Sequence, residues 1–561
     1  MEYTRKRNPS RKRNIMQNKS KNKNKNKKRS TSKNKSVTQV KDSNINLVQG
    51  HITPDNGPDS TFGKWKVVHI FGEAYERGYA HGYLLYAELS KIKDILRFLV
   101  KTELNTSFSK YMKICRTTIQ PIIKDQFPEF YQEMEGISGG AKAKGVDVST
   151  EFIIGWNSLL SMYNVFDNNN NNKTGERCSA FIACGNSTEK GDIVMAHNTH
   201  SDFATGQLSN IILYITPKDG FPFVMQTIAG YIASGLDWFI CSSGIIGCET
   251  TIANINYKPQ FGLERAGAEG VGRNTVGVQP ALLGERLNSI DGNRRGYPYF
   301  CRIRQAMQYG RTLDEYTKIM LNQNAGDYAC SWLFGNIKTN EIMRFEIGLK
   351  LHSIQRTHDG VFYGMNMAID PKLRSEETNE PVIEDISTSS KARSVRLDYL
   401  LNTKYHGKIN VDIAKKIISD HYDVYLKKNA PSSRTICRRS DVDGELINKQ
   451  PYYPHGSIDA KVVNTELAHT LSFLGHFGPP CGHPFNKSEY LKKHPEYTNW
   501  APFLESFTRI TDSKSATKQR SPSESFPCGT DSKSSTGDPV RGLQWPSEDM
   551  DTVQKWVEIH A

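Results

Sequence analysis

Six short apolar segments follow one another closely between residues 179 and 254, and this series constrains the fold more than any other feature of the sequence. Each segment is long enough for one strand, and turns rich in Gly, Pro, Asp or Lys separate it from the next. Such short connections are typical of antiparallel strands. The segments are SAFIACG, DIVMAHN, SNIILYITP, FPFVMQTI, DWFICSS and GIIGCETTIAN.

Helical patterns flank this strand series on both sides. Before it, apolar residues at three- and four-residue spacing predict a long amphipathic helix over 73–102, with further helices over about 110–124 and 129–144. After it, the sequence predicts helices at 298–322, 391–402, 411–427 and 463–475, and more strands at 331–337, 341–350 and 361–368. Helices first, then strands, then helices favour an α+β fold in which helices cover the outer faces of the sheets.

The basic charge of the chain is concentrated at its N-terminus. The formal charge is +14, yet residues 1–41 alone contribute +15, because they hold sixteen lysines and arginines and one acid. The rest of the chain is close to neutral, which argues against a phosphate-binding groove or a basic membrane face there. Two basic clusters, at 5–7 and 11–13, fit a nuclear-localisation or nucleic-acid-binding tail; the alternative is a solubilising extension.

Composition divides the chain into four segments. Residues 1–60 form a basic tail of low complexity that cannot bury enough apolar surface to fold. A mainly helical segment spans 61–177 and ends in the polar run DNNNNNK, an expected exposed loop. The strand-rich region spans 178–508, and residues 509–561 are expected to form a low-complexity linker and a short C-terminal helix.

Several classes of protein are excluded by what the sequence lacks. The sequence contains no run of about 18 apolar residues, so no transmembrane helix is predicted. The N-terminal charges are not followed by the apolar stretch that a secretory signal requires. A cytoplasmic or nuclear location is therefore favoured over secretion. The ten cysteines are scattered without a CxxC pair, which argues against a structural zinc site and against a dense disulfide framework. We expect mostly reduced thiols, and neither a cofactor nor a metal.

The junction at Arg177 and Cys178 carries the most chemical information. A polar loop ends there, and a cysteine stands at the first position of a buried-looking strand. If the peptide bond before Cys178 were cut, one residue would hold both a thiol and an α-amine. An α-amine titrates near ~7.7–8.0, so it can act as the base for its own side-chain nucleophile. The alternative is a small buried hydrophobic residue, the common role of a free cysteine.

The residues around Cys178 resemble two related groups of proteins. The segments CSAFIACGNSTEKGDIVMAHNTH and ETTIAN resemble the phospholipase B-like proteins and the autoproteolytic acyltransferase/hydrolase family that includes isopenicillin N acyltransferase. The resemblance continues in order from about residue 65 to 505 through ERGYAHGYLL, GWNSLL, NAGDYACSWL, GVFYGMNMAIDPKLRSEET, ICRRSD, GSIDAKVV and GPPCGHPF. It implies an N-terminal-nucleophile (Ntn) hydrolase fold, which is a four-layer αββα sandwich, and self-cleavage between Arg177 and Cys178 into two associated chains.

Four residues match functional positions of these families. Cys178 matches the processed nucleophile, and His197 matches a histidine of the pocket, with a structural histidine as the alternative. Thr251 matches a hydroxyl that can hold the nucleophile or the substrate carbonyl; the alternative is an ordinary strand threonine. Asn366 matches a side-chain amide that donates to the oxyanion, a role in which one fixed donor is worth about 3 kcal/mol.

One position departs from the family pattern. Phospholipase B-like relatives usually carry tryptophan where this chain has His200, so the acyl pocket is expected to differ, with His200 as a polar pocket residue or a rim residue. Asn324, in the matched NAGDY segment, is an alternative oxyanion donor. Asp459 and Arg438 also lie in matched motifs and are interpreted as structural residues that could pair with each other.

These residues predict a hydrolase that cleaves an amide or ester through a thioester at Cys178. The phospholipase B-like resemblance implies an acyl-lipid substrate, whereas relatives of this fold mostly cut linear amides. The expected partners are this small substrate and the cleaved N-terminal chain, with nucleic acid only through the tail. Two alternatives stay open: an acyltransferase that passes the acyl group to an amine, and a catalytically idle binding protein that keeps the fold.

Overall fold

The computed structural model describes residues 48–53, 65–166, 178–261, 296–379, 384–444, 451–507 and 556–560. The chain divides into two units, Met1–Thr38 and Gln39–Ala561, and every described residue belongs to the second. The two basic clusters, the polar run before Cys178 with Arg177, and nearly all of the C-terminal linker therefore lie outside the described residues.

The described residues before Cys178 are mainly helical. The helices are α1 (Ala74–Leu84), α2 (Tyr86–Thr102), α3 (Phe108–Ile114), α4 (Gln120–Gln126), α5 (Pro128–Ala143), α6 (Thr150–Asn157) and α7 (Leu159–Phe166), with a π-helical turn at Cys115–Ile119. The single helix expected over 73–102 is two helices, because the backbone at Leu85 leaves the helical region (φ −113°, ψ 25°). Ser107 and Ser149 cap the starts of α3 and α6 through their hydroxyl groups.

Helices α1 and α5 cross at close range over glycines. A Cβ atom on Gly82 would lie 2.0 Å from the main-chain oxygen of Ile137, and one on Gly140 would lie 2.0 Å from that of Tyr79. Real Cβ atoms do not approach oxygen so closely, so only glycine fits at these crossing points. The glycines of the ERGYAHG and GISGGAK segments therefore serve helix packing.

The larger sheet has nine strands: β1 (Gly50–Ile52), β2 (Lys66–Gly72), β5 (Ile211–Pro217), β6 (Phe223–Thr227), β7 (Trp238–Cys241), β8 (Ile245–Thr251), β9 (Cys330–Asn336), β10 (Glu341–Ile347) and β11 (His352–Thr357). They lie side by side in this order. From β5 to β11 the neighbours are antiparallel, whereas β2 joins β5 in parallel. The strand series that the sequence predicts after residue 209 thus builds the centre of this sheet.

The smaller sheet has seven strands: β3 (Cys178–Cys184), β4 (Val194–Asp202), β12 (Gly360–Gly364), β15 (His455–Ser457), β16 (Asp459–Asn464), β17 (Phe473–Phe477) and β18 (Val557–Ile559). Its order is β12-β3-β4-β16-β17-β18, and β15 also pairs with β4. Strand β3 is antiparallel to both of its neighbours. A separate hairpin pairs β13 (Tyr422–Asp423) with β14 (Lys428–Asn429).

Shorter helices follow and interrupt the strands. They are α8 (Phe203–Gly206), α9 (Tyr299–Tyr309), α10 (Leu313–Leu321), α11 (Pro371–Glu377), α12 (Ser389–Tyr399), α13 (Val411–Ile418), α14 (Thr465–His469) and α15 (Lys487–Lys493). Single turns of 3₁₀ or π type occur at Gly185–Ser187, Leu400–Lys404 and Ser440–Val442, and a longer 3₁₀ segment with a kink at Tyr497 spans Pro495–Phe503. Among the described residues, no helix combines the length and the apolar composition that crossing a membrane requires.

Three apolar clusters account for most of the packing. The first joins one face of the larger sheet to α1–α7, α9 and α10. The second lies between the sheets and includes Ile182 of β3 and Ile246 of β8. The third joins the other face of the smaller sheet, through residues such as Phe181, to α12 and α13. The fold is therefore α+β, with two sheets that share a core and helices against their other faces.

Other local expectations are wrong. The helix expected over 298–322 is two helices, α9 and α10, which separate at Gly310, and the helix expected over 411–427 ends at Ile418, before β13. Residues 463–475 are not one helix, because they contain the end of β16, the single turn α14 and the start of β17. Residues 557–559 form β18 beside β17, and nearly all the rest of the segment 509–561, in which a short helix is expected, lies outside the described residues. Gly50–Ile52 pairs with β2 and Val48 is buried, so the fold begins inside the segment interpreted as a tail.

Candidate active site

Cys178 begins β3 and is fully buried. Strand pairing places it opposite Thr199 of β4. The alternate residues Ala180 and Ile182 pack in the core between the sheets, and Cys178 shares their strand phase. Like the other described cysteines, Cys178 forms no disulfide. Its thiol therefore points from the smaller sheet toward the larger one.

Two buried carboxylates lie close to this thiol. The Cys178 Sγ atom and one carboxylate oxygen each of Asp237 and Glu249 all lie within 4.8 Å of one another. Glu249 belongs to β8, and its main-chain N–H donates to the carbonyl of Asp237, the residue before β7, over 3.3 Å. Asp237 has φ +58°, a left-handed conformation that aspartate tolerates better than most residues. Within the described ranges, this is the group whose ligand atoms are close enough together to hold a metal ion.

A hydrogen-bonded series of side chains holds Glu249 in place. The Tyr328 hydroxyl donates to Glu249 Oε1 over 2.7 Å, and Thr251 Oγ1 lies 2.6 Å from the same hydroxyl oxygen. A phenol has one hydrogen, so with Glu249 ionised the Thr251 hydroxyl is the donor to Tyr328. Thr251 therefore contacts the cluster around Cys178 through Tyr328 and Glu249.

Asn366 and Arg393 hold the main chain of Cys178. The Cys178 N–H donates to Asn366 Oδ1 over 3.2 Å, and Arg393 Nη1 donates to the Cys178 carbonyl over 2.7 Å. Both terminal nitrogens of Arg393 also donate to Asn366 Oδ1, each over 3.1 Å. Because a guanidinium only donates, these bonds fix which end of the Asn366 amide is oxygen. Asn366 Nδ2 donates to the Thr251 carbonyl over 2.9 Å, which leaves its second hydrogen for a further acceptor.

Lys461 brings a fully buried cation to the same region. Its Nζ donates to Asp459 Oδ1 over 2.7 Å, to Gln226 Oε1 over 2.6 Å and to Thr199 Oγ1 over 2.8 Å. Asp459 thus forms its ion pair with Lys461, not with Arg438 as the sequence suggested. The pair joins β16 to β4 and to β6 of the larger sheet.

The environment of Cys178 disfavours the thiolate. Burial raises the pKa of the Cys178 thiol well above its usual value, and the negative charges of Glu249 and Asp237 raise it further. The positive charge of Lys461 and a hydrogen bond from the main-chain N–H of His200 oppose this shift without cancelling it. In this form the thiol is protonated at neutral pH.

His197 lies beside Glu249. Its Nε2 is 3.0 Å from the Glu249 carbonyl oxygen, and because a carbonyl only accepts, Nε2 carries the hydrogen. Burial, aided by the charge of Lys461, lowers the pKa of His197 well below its usual value, so the ring is neutral. His197 therefore holds the main chain of β8 next to the thiol.

The side chains of His200 and Asn324 are not brought to the thiol. His200 Nε2 is 3.2 Å from the carbonyl of Ile436, which also accepts from Asn198, two residues earlier on the same face of β4. This face packs toward α12 and α13, so His200 contributes only its main-chain N–H. Asn324 donates to the carbonyls of Gly348 and Leu349 and accepts from the Gly326 N–H, as expected for a residue that stabilises a loop.

Comparison with known proteins supplies no activity for this site. No protein-family model matches the chain. An uncharacterized protein of Archaeoglobus fulgidus is 24% identical to this chain over 246 residues, which are 42% of this chain and 40% of that protein. The chain therefore covers less than half the length of this relative. The chemistry has to be argued from the arrangement of side chains.

Sequence reasoning missed five residues of the site, one of which is Lys461 in the quoted GSIDAKVV segment. Glu249 and Tyr328 lie inside the quoted ETTIAN and NAGDYACSWL segments, so the resemblance included them without assigning a role. Asp237 and Arg393 come from a turn and from a helix that carry no local motif. Only the tertiary contacts of Cys178 identify these two residues.

Proposed function

We propose that the protein is a cysteine Ntn hydrolase that matures by cleavage before Cys178 and then cuts an amide or ester bond through a thioester. The observation that carries the proposal is the division of contacts around Cys178. Its nitrogen and carbonyl are held by Asn366 and Arg393, whereas its sulfur faces Asp237 and Glu249. A residue that must act as both nucleophile and base needs both ends held in this way.

The packing of the sheets supports the same proposal. A shared core between two largely antiparallel sheets, with helices on the other face of each, is the arrangement expected of the four-layer αββα sandwich of Ntn hydrolases. In that fold the nucleophile is the first residue of a strand inside one sheet. Cys178 has this position in β3, between β12 and β4.

In the maturation step the Cys178 thiol would react while the Cys178 nitrogen is still part of a peptide bond, so no free α-amine is yet present. The Cys178 sulfur attacks the carbonyl carbon of residue 177 and loses its proton. The Cys178 nitrogen takes up this proton as the C–N bond breaks, so the peptide bond becomes a thioester and the nitrogen a free amine. Water then hydrolyses the thioester, releasing the carboxylate of the first chain and restoring the thiol. Arg393, bonded to the Cys178 carbonyl, keeps this residue in place during the exchange.

In the mature protein the α-amine accepts the thiol proton as the sulfur attacks the substrate carbonyl. The remaining Nδ2 hydrogen of Asn366 is the side-chain donor proposed for the oxyanion. When the oxyanion collapses, the leaving amine or alcohol takes the proton from the α-ammonium. Water adds to the thioester with the α-amine as base, and the acid is released. The nearby charge of Arg393 favours the uncharged form of the amine, which is the basic one.

Intact-mass measurement of the purified chain tests the proposal. The unaltered protein should yield two fragments that meet between Arg177 and Cys178, and Cys178→Ala should yield one uncut chain. Cys178→Ser should cut slowly, because a hydroxyl is a poorer nucleophile in the same place. Cys184→Ala, at a fully buried cysteine on the same strand, is the matched control and should cut normally. Cleavage of Cys178→Ala would assign the cut to an external protease, and an uncut native chain would contradict the proposal.

A further inference from the structure

Two buried cysteines outside the site around Cys178 lie in contact with each other. The main-chain N–H of Cys481 donates to the Cys437 sulfur over 3.3 Å, and the two side chains are hydrogen-bonded to each other. The exposed fraction is 0% for Cys437 and 5% for Cys481. Both are free thiols in this structure. Two thiols in direct contact can be joined by a disulfide without a large movement of the main chain.

The two cysteines belong to segments that the resemblance includes and that the proposed reaction does not use. Cys437 lies in ICRRSD, and Cys481 lies in GPPCGHPF. Arg439 joins these segments, because its Nη1 donates to the His483 carbonyl and its Nη2 donates to the Pro484 carbonyl over 3.3 Å. The segments are therefore held against each other by bonds that do not involve the two sulfurs.

The surroundings of Cys481 favour its thiolate. Burial raises the pKa of this thiol. A hydrogen bond from the Cys437 thiol and the positive charge of Arg439 oppose this effect, and so does a hydrogen bond from the main-chain N–H of His483. Together they bring the pKa of Cys481 well below its usual value. Because the thiolate is the form that is oxidised, Cys481 would react first, with Cys437 in contact to resolve the product.

We propose that Cys437 and Cys481 are a redox-sensitive pair that hydrogen peroxide converts into a disulfide. The Cys481 sulfur attacks one peroxide oxygen, the O–O bond breaks and hydroxide leaves, which gives a sulfenic acid. The Cys437 sulfur then attacks the Cys481 sulfur, and the S–O bond breaks as the S–S bond forms. The two cysteines lose two electrons and the peroxide is reduced to two waters, which also take up the two thiol protons.

The disulfide would fasten a segment that supports the smaller sheet. The Ile436 carbonyl, next to Cys437, accepts hydrogen bonds from Ser179 of β3 and Asn198 of β4. The two cysteines are 44 positions apart, and the chain between them contains β15 and β16, which both pair with β4. A crosslink over a loop of this length restricts the unfolded chain, so it should stabilise the fold.

This inference does not depend on the proposed hydrolase function. Both cysteines follow Cys178 in the sequence, so the disulfide forms within one chain whether or not the chain is cut before Cys178.

Peroxide treatment of the folded full-length protein tests the inference. The remaining thiols are then alkylated in denaturant, and the peptides are mapped by mass. We expect the peptides of Cys437 and Cys481 to be linked, and dithiothreitol to separate them. Cys184, whose pKa burial raises to about 11, is the internal control and should lose its free thiol at least about tenfold more slowly. Free thiols at both Cys437 and Cys481 after treatment, or irreversible oxidation of Cys481 with Cys437 left free, would overturn the inference.

Urea denaturation measures the consequence of the crosslink in the same samples. The unfolding midpoint of the peroxide-treated protein should be higher by roughly half a molar or more, and dithiothreitol should reverse this rise. Cys437→Ala and Cys481→Ala should each abolish the reversible rise, because neither variant can form the bond, whereas Cys184→Ala should retain it. A midpoint that dithiothreitol leaves unchanged in the unaltered protein would also overturn the inference.

Discussion

Asn366 links the two sheets next to Cys178, and its backbone has an uncommon conformation. Its φ is +74°, a conformation that asparagine adopts more readily than most residues. The amide accepts from the smaller sheet at Cys178 and donates to the larger sheet at Thr251. Replacement by alanine would therefore combine backbone strain with the loss of both hydrogen bonds, so a substitution that keeps the shape is more informative.

Asn366→Asp keeps the size and tolerates the positive φ, but it places a carboxylate beside the Cys178 nitrogen and removes the Nδ2 donor, so kcat should also fall. A negative charge stabilises an α-ammonium, so the free base would form only at higher pH. We expect the pH dependence of kcat/KM to move upward by about one unit, with part of the effect offset by Arg393. Asn340→Asp is the matched control, because Asn340 also has a positive φ (+54°) but lies in the turn between β9 and β10. An unchanged pH dependence of kcat/KM would contradict the proposal that the Cys178 α-amine lies beside Asn366 and acts as the base.

The sequence predicts some residues of the site and not others for reasons of geometry. Cys178 and Thr251 were found through local segments and lie in one cluster. His197 and His200 are three positions apart on one strand, and because side chains alternate with period two, they cannot share a face. The expectation for the His200 side chain overlooked this rule. Asp237 and Arg393 depend on pairings distant in sequence, which no local pattern encodes.

The close crossing of helices α1 and α5 can be tested by substitution of the glycines at the contact. Gly140→Ala would bring a methyl group against the main chain of Tyr79, which cannot move without separating the helices. We expect the free energy of unfolding to fall by about 3 kcal/mol or more. Gly139→Ala is the control. Its methyl group crowds only the hydroxyl end of the exposed Tyr75 side chain and makes an ordinary contact with Tyr79, and alanine favours a helix by up to about 1 kcal/mol. Chemical denaturation of both variants should separate them; equal stabilities would contradict the close crossing.

Element types were predictable where the pattern is long and local. The strands from β5 to β8 fall on their predicted segments to within a few residues. The helix expected at 463–475 was wrong because Val462 and Val463 belong to β16, whose pairing with β4 and β17 outweighs the helical spacing of the following residues. Edge pairing of this kind also places β18 beside β17, and no nearby sequence signal predicts it.

At the scale of the whole molecule, the position of β1 revises the boundary of the basic tail. Deletion of residues 2–47 should leave both the free energy of unfolding and cleavage before Cys178 unchanged. Deletion of residues 2–53 also removes Val48 and β1, and burial of one valine is worth about 1.5–3 kcal/mol. We therefore expect this second variant to be less stable by at least that amount in urea denaturation. Equal stability of the two deletions would exclude β1 from the fold.

The described residues on the two sides of the proposed cut share one sheet. Those before Cys178 supply β1, β2 and seven helices, and β2 pairs directly with β5 from beyond it. Before cleavage, refolding is a first-order event within one chain. After cleavage the same contacts must form between two separate molecules, so recovery from denaturant would slow with dilution and would fail once the pieces diffuse apart. Self-cleavage would thus convert a chain that can unfold and refold into a pair of chains that do not reassemble after they have unfolded and separated.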